Sequence, residues 1–130
     1  MSGAIQLSDE ITVGTVLVLC PKTMLTKGGV VTGPPETWVV APHFFIAIGA
    51  DKKRCRMLPL YSNDGVGREQ IPTAGRTGHI KWTSGTWHYH PVQVWTASRH
   101  TIALAAKAGG DLSTAGARNL LDIQFVPVIN

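Results

Sequence analysis

The sequence predicts a mainly β fold: a small twisted β-barrel with one short C-terminal α-helix. Three observations lead there. Short apolar runs rich in β-branched residues recur between clusters of turn formers. Two of them, His43–Ile48 and Cys55–Leu60, flank the charged turn Gly49–Arg54 as a hairpin. A one-sided apolar stripe then follows the Gly109-Gly110 pair. Several short strands with turn signals and one terminal helix point to a small, twisted β-barrel.

The elements follow in order. Residues 1–10 read as a polar, flexible lead-in, and 11–130 as one domain. Ile11–Leu19 is the first strand, closed by Pro21. Residues 21–37, with Lys27-Gly28-Gly29 and Gly33-Pro34-Pro35, read as a long loop of the kind that often carries function. Trp38–Ala41 is extended because Pro42 restricts its neighbour. After the hairpin, Asn63–Gly67 is turn-rich and 68–79 irregular. Ile80–Thr83 is a short strand, and Trp87–Trp95 alternates as another. Thr101–Leu104 is either a last short strand or the start of a helix through Ala108. Asp111 or Ser113 then caps a helix from about Thr114 to Ile123, with Ala117, Leu120 and Leu121 on its apolar side.

Composition narrows the function. The chain has 130 residues, 44% apolar and only 15% charged, which suggests burial on two sides, an oligomer, or both. The net charge of +4 permits attraction to phosphate backbones. The only dense basic cluster is Lys52, Lys53, Arg54 and Arg56. Cys20 and Cys55 make no disulfide framework and are expected as buried thiols. No apolar stretch reaches the roughly 18 residues of a membrane span. Met1–Ala4 does not begin a basic-then-apolar leader. A soluble, cytoplasmic protein without a membrane partner is expected.

Several enzyme classes have no signature. There is no Gly-rich phosphate loop ending in Lys and a hydroxyl, no nucleophile elbow and no Cys-x-x-Cys pair. The carboxylates are isolated, which argues against paired acid–base hydrolysis.

Three constellations remain. The first is the corner where the second hairpin strand ends at Tyr61-Ser62-Asn63-Asp64. His43 could serve there as a base near neutral pH, with Arg56 or a loop lysine supplying charge. The second is His88-x-His90, two imidazoles that alternation would put on one strand face, where they could bind a transition metal. The glutamate expected after such a pair is replaced by Gln93. The third is aromatic. Trp82 and Trp87 flank the turn Thr83–Thr86 and could stack bases beside Lys81 and Arg99.

Strand Val13–Val18, then a loop, then Pro42–Ile48, then Met57–Ser62, resembles the PemK/MazF-like toxin family. Val92–Ser98 and Gly110–Ser113, followed by a short helix, are similar to that family's last strand and C-terminal helix. The likeness covers residues 11–124 in order. It implies an SH3-like barrel that dimerises and cuts single-stranded RNA without a metal or other cofactor, restrained by an antitoxin protein. Ser62 then matches the corner hydroxyl at the scissile phosphate, and His43 a basic position before the second strand. Lys22 and Lys27 are the candidates for the basic residue of the first loop. Catalytic roles are thus expected for Ser62, His43 and Arg56, and binding roles for Lys22, Lys27, Tyr61, Asn63, Trp82 and Trp87. Two other readings stand beside this one: a non-enzymatic barrel that binds nucleic acid or protein, and a metal or small-molecule barrel using His88 and His90.

Overall fold

A computed structural model of the chain describes residues 7–111, 113 and 117–129. The fold is mainly β. Its strands are β1 (Thr15–Leu19), β2 (Val30–Val31), β3 (His43–Ala50), β4 (Arg54–Pro59), β5 (Glu69–Ile71), β6 (Arg76–Thr77), β7 (Trp87–Tyr89), β8 (Trp95–Ser98) and β9 (Asn119–Leu121). The helices are α1 (Leu7–Glu10), α2 (Pro21–Thr26), α3 (Ile80–Thr83) and α4 (Arg99–Gly109). Seven strands form one antiparallel sheet in the order β2-β8-β4-β3-β1-β9-β6. β5 and β7 form a separate two-stranded ribbon. An antiparallel bridge between Tyr61 and His88 ties the ribbon to the end of β4.

The sheet is buried on both faces, as the low charge fraction suggested. Alternation along each strand sends neighbours to opposite sides. Leu17, Leu19, Phe45, Ala47, Cys55 and Met57 meet Ile102, Ala105 and Ala106 of α4. Val16, Ile46 and Leu58 meet Trp82, Ile71, Leu121 and Val126 on the other face. Trp82 and Trp95 are the largest fully buried side chains, so truncating either should cost about 3–5 kcal/mol.

The hairpin β3–β4 forms where the sequence predicts it, with a register shift between Ala47 and Gly49. Among the described residues the sheet has two edges, β2 and β6, and no closed barrel is found. The helix of the carboxyl-terminal third is α4, the second of the two readings of 101–108. Ser98 Oγ accepts from Thr101 N–H at its start, and Gly110 ends it in the left-handed conformation at φ 77°.

The helix expected from Thr114 to Ile123 is not shown. Part of that span lies outside the described residues, and Asn119–Leu121 is strand β9, held between β1 and β6. Tertiary pairing overrode a stripe that Gly116 already weakened. Three other expectations change. Ile80–Thr83 is a helical turn, because His79 Nδ1 accepts from Lys81 N–H at 3.1 Å and starts it. The 21–37 loop contains α2, with Pro21 at its first position, as well as the edge strand β2. Leu7–Glu10 of the lead-in is helical.

Candidate functional site

β3 and β4 leave the hairpin side by side. Beyond the last sheet pairs, Leu60 N–H still bonds Phe44 O at 2.7 Å. That extension brings His43 opposite Tyr61, and their rings meet edge to face at 5.5 Å. Tyr61 is held from the other side by its paired backbone bonds to His88, both 2.8 Å. The tyrosine is therefore fixed at the corner where the chain leaves the sheet.

The chain then loops through 62–67 and returns. Arg68 lays its guanidinium over the Tyr61 ring, 3.8 Å from the centroid, and donates to Asn63 O at 3.0 Å. Gly67 makes this return possible. It sits at φ 77°, and a Cβ there would lie 2.6 Å from His90 Nε2. His90 Nδ1 accepts from Val92 N–H at 3.2 Å, so a neutral ring carries its proton on Nε2.

A groove of about 700 Å³ opens over these residues. Tyr61, Arg68, His90 and Gln93 line it, and Val66 and Pro34 form part of its rim. Gln93 is buried and fully committed. Its Oε1 accepts from Val39 N–H and Trp95 Nε1–H, and its Nε2 donates to Thr37 O at 2.9 Å. A longer contact of 3.5 Å reaches Tyr61 Oη. One carboxylate also lines the groove: Asp64, whose Oδ1 accepts from Gly65 N–H.

The electrostatics favour a neutral imidazole beside a cation. Burial lowers the His43 pKa from its ordinary 6.5, and the Arg68 charge lowers it further, against backbone groups of Ala41 and Pro42 that favour the protonated ring. Burial raises the Tyr61 pKa above its ordinary value, although Arg68 and Gln93 pull it back. At neutral pH the pair presents an acceptor on His43 and a protonated phenol. The combination can hold a phosphate or a flat ring and can take a proton.

The expected site residues divide. His43 and Tyr61 touch, and Asn63 contributes its carbonyl to Arg68, but of the expected residues only Tyr61 lines the groove, with His43 behind it at the ring edge. Ser62 is exposed on the loop that follows Tyr61. Arg56 does not join them. It lies five residues back along the strand, about 16 Å away at strand rise, and donates to Ile129 O at 3.1 Å. Lys22 and Lys27 are exposed on and just after α2, and neither lines the groove. Trp82 is fully buried, with Nε1–H on Leu120 O at 3.1 Å, and is closed to a stacking base. Trp87 is half-buried against Phe44, and its Nε1–H bonds Trp82 O. His88 is buried at the ribbon while His90 turns to the groove. Among the described residues no three His, Cys, Asp or Glu side chains gather as a metal site. Cys55 is buried as expected, but Cys20 is only partly buried.

Arg68 is the groove-lining residue that sequence reasoning missed. The one available signal was the glycine-bearing turn 63–67, which sends the chain back towards Tyr61. No family model, no curated protein and no solved structure matches the chain.

Proposed function

We propose that this protein binds single-stranded RNA in the Tyr61 groove and cleaves it without a metal, as a toxin of the PemK/MazF-like kind. In this reading the seven-stranded sheet is an open variant of the SH3-like barrel. The single observation that carries the proposal is the contact of His43, Tyr61 and Arg68.

The chemistry follows from those three. Neutral His43 takes the proton of a ribose 2′-hydroxyl. The 2′-oxygen forms a bond to the adjacent phosphorus, and the bond from phosphorus to the 5′-oxygen breaks. Arg68 faces the charge that gathers on the phosphate oxygens in between. The leaving 5′-oxygen takes its proton from water. Ser62, exposed on the loop after Tyr61, would donate to a phosphate oxygen of the bound strand. The Tyr61 ring offers a stacking surface for a flanking base. A homodimer suits the exposed Ile80, Ile123 and Val128, and an antitoxin protein would restrain the enzyme by covering the groove.

Incubation with a single-stranded oligoribonucleotide in EDTA tests this reading. Cleavage that stops when the scissile ribose is replaced by 2′-deoxyribose is the expected result. Intact RNA after exposure to micromolar folded protein would refute the enzyme.

A second reading rests on a different aspect of Arg68. Its guanidinium is already held by the Tyr61 ring and by Asn63 O, an arrangement suited to a fixed, non-catalytic RNA clamp. Salt-dependent binding without cleavage would select it.

A further inference from the structure

A smaller pocket, about 230 Å³, opens between the end of α4 and the start of α3. Its chemistry is separate from the groove. Phe44 and Val18 supply an apolar wall, and His79, Lys81, Asp111 and Asn119 supply polar groups. We propose that this pocket binds one nucleotide of the RNA, base against Phe44 and phosphate at Lys81. The proposal rests on the RNA reading above and extends it to a second subsite.

Asn119 carries most of the argument. It is 3% exposed, and its Oδ1 is committed to His79 N–H at 2.8 Å. Its NH2 makes no hydrogen bond to a described residue, so the amide of a buried side chain in the lining of this cavity keeps a donor that no protein group takes. Such a donor calls for a ligand acceptor or a water. Gly78 permits the arrangement: at φ 125°, a Cβ there would lie 2.7 Å from Asn119 Cα.

The other groups complement a base. His79 Nδ1 accepts from Lys81 N–H, which leaves Nε2–H as a second donor on the neutral ring. Asp111 Oδ1 accepts from Val18 N–H, and Oδ2 accepts from Ser113, so the carboxylate is rigid. Its remaining lone pairs can receive an exocyclic amine. That negative charge argues against a bare anion as the occupant and for a base, whose edge carries donors as well as acceptors. Lys81 is exposed and has no carboxylate partner among the described residues. Its ammonium is therefore free for the attached phosphate.

Size and position agree. The volume, below that of drug-sized sites, takes a single base and leaves its ribose and phosphate at the mouth beside exposed Lys81. Phe44 adjoins His43 in β3, so the two sites open on opposite faces at the same strand end. An RNA strand passing round the 41–42 segment would meet both.

Titration of the four ribonucleoside 5′-monophosphates, one at a time, tests the subsite without requiring cleavage. The wild type, Lys81→Ala, Phe44→Leu and Arg68→Ala are compared. At least one nucleotide should bind the wild type. Lys81→Ala should weaken it about fivefold with a shallower salt dependence, and Phe44→Leu about tenfold. Arg68→Ala should remove only binding in the groove and leave the Lys81-dependent affinity unchanged. Lys81 is exposed and unpaired, so its variant keeps the fold even if Phe44→Leu loosens packing on Trp87. Affinity weaker than about 10 mM for all four, or binding indifferent to Lys81, overturns the subsite. Loss on Arg68→Ala alone assigns the nucleotide to the groove and also overturns it. Lys81-dependent binding by a protein that neither binds nor cuts RNA keeps the pocket and removes the RNA reading.

Discussion

The two ends of the β3–β4 hairpin are built from the same two strands and have opposite characters. At the turn end, Asp51, Lys52, Lys53 and Arg54 are exposed, and Asp51 satisfies the turn's own N–H groups at Lys53 and Arg54. Those bonds hold the Asp51 carboxyl below its usual range. At the open end, His43 and Tyr61 are half-buried, share a ring contact and sit beside one guanidinium. Charge density is highest where the chain only needs a solvated turn. Chemistry is concentrated where segments distant in sequence converge on a fixed ring. One arginine held over a tyrosine is a better pointer to a site than the three exposed cations of the turn.

The comparison predicts unequal losses. Arg68→Ala should lower RNA cleavage about 100-fold, the effect of removing one donor aimed at developing charge. Combined Lys52→Ala and Lys53→Ala should change it by less than about threefold, through long-range attraction alone. Equal losses at the two ends, measured as kcat/KM on one oligonucleotide, would erase the distinction.

The groove's floor should also matter more to stability than the turn. Gln93→Ala leaves Val39 N–H and Trp95 Nε1–H without their acceptor and should cost about 1–3 kcal/mol in urea unfolding. A loss below half of the lower figure would mean that water replaces the amide.

A pH effect is expected next. The His43 pKa is lowered in the folded protein, so the unfolded chain binds the proton more readily. The neutral ring's contribution is intact above the unfolded value near 6.5. It is lost as pH falls from there to the lower folded value, and no further below it. His43→Asn should flatten this part of the stability curve. Under the proposed cleavage, the same proton would give kcat/KM an acid limb below 6.5.

The smallest contrast is between the thiols. Hydrogen bonds from Thr23 lower the Cys20 pKa, whereas burial raises that of Cys55. Iodoacetamide should therefore modify Cys20 first at pH 7.5, with Cys55 protected until unfolding. Equal rates would show that the α4 face of the sheet opens readily.

What the sequence disclosed follows the same division. The hairpin was legible because alternation and a charged turn are local signals. α4 was half legible, since Thr101–Leu104 suits either state and only the Ser98 cap and the sheet behind it decide. β9 was not legible, because its strand character comes from pairing with β1 and β6 rather than from its own residues. His43 and Tyr61 could each be singled out at the hairpin corner, although their ring contact could not. Arg68 could not, because its position depends on a six-residue return, 62–67, that only the folded backbone specifies. Trp82 misled for a related reason: a helical turn buries a ring that strand alternation would have left beside an open loop.

The most direct test of the central claim is backbone amide chemical-shift mapping with a single-stranded oligoribonucleotide whose scissile riboses are 2′-O-methylated. The account predicts the largest shifts at Gly33, Tyr61, Gly65, Arg68 and His90, with Lys52, Lys53 and Arg56 unmoved. Shifts confined to the turn end of the hairpin, with the Tyr61 groove silent, would contradict it.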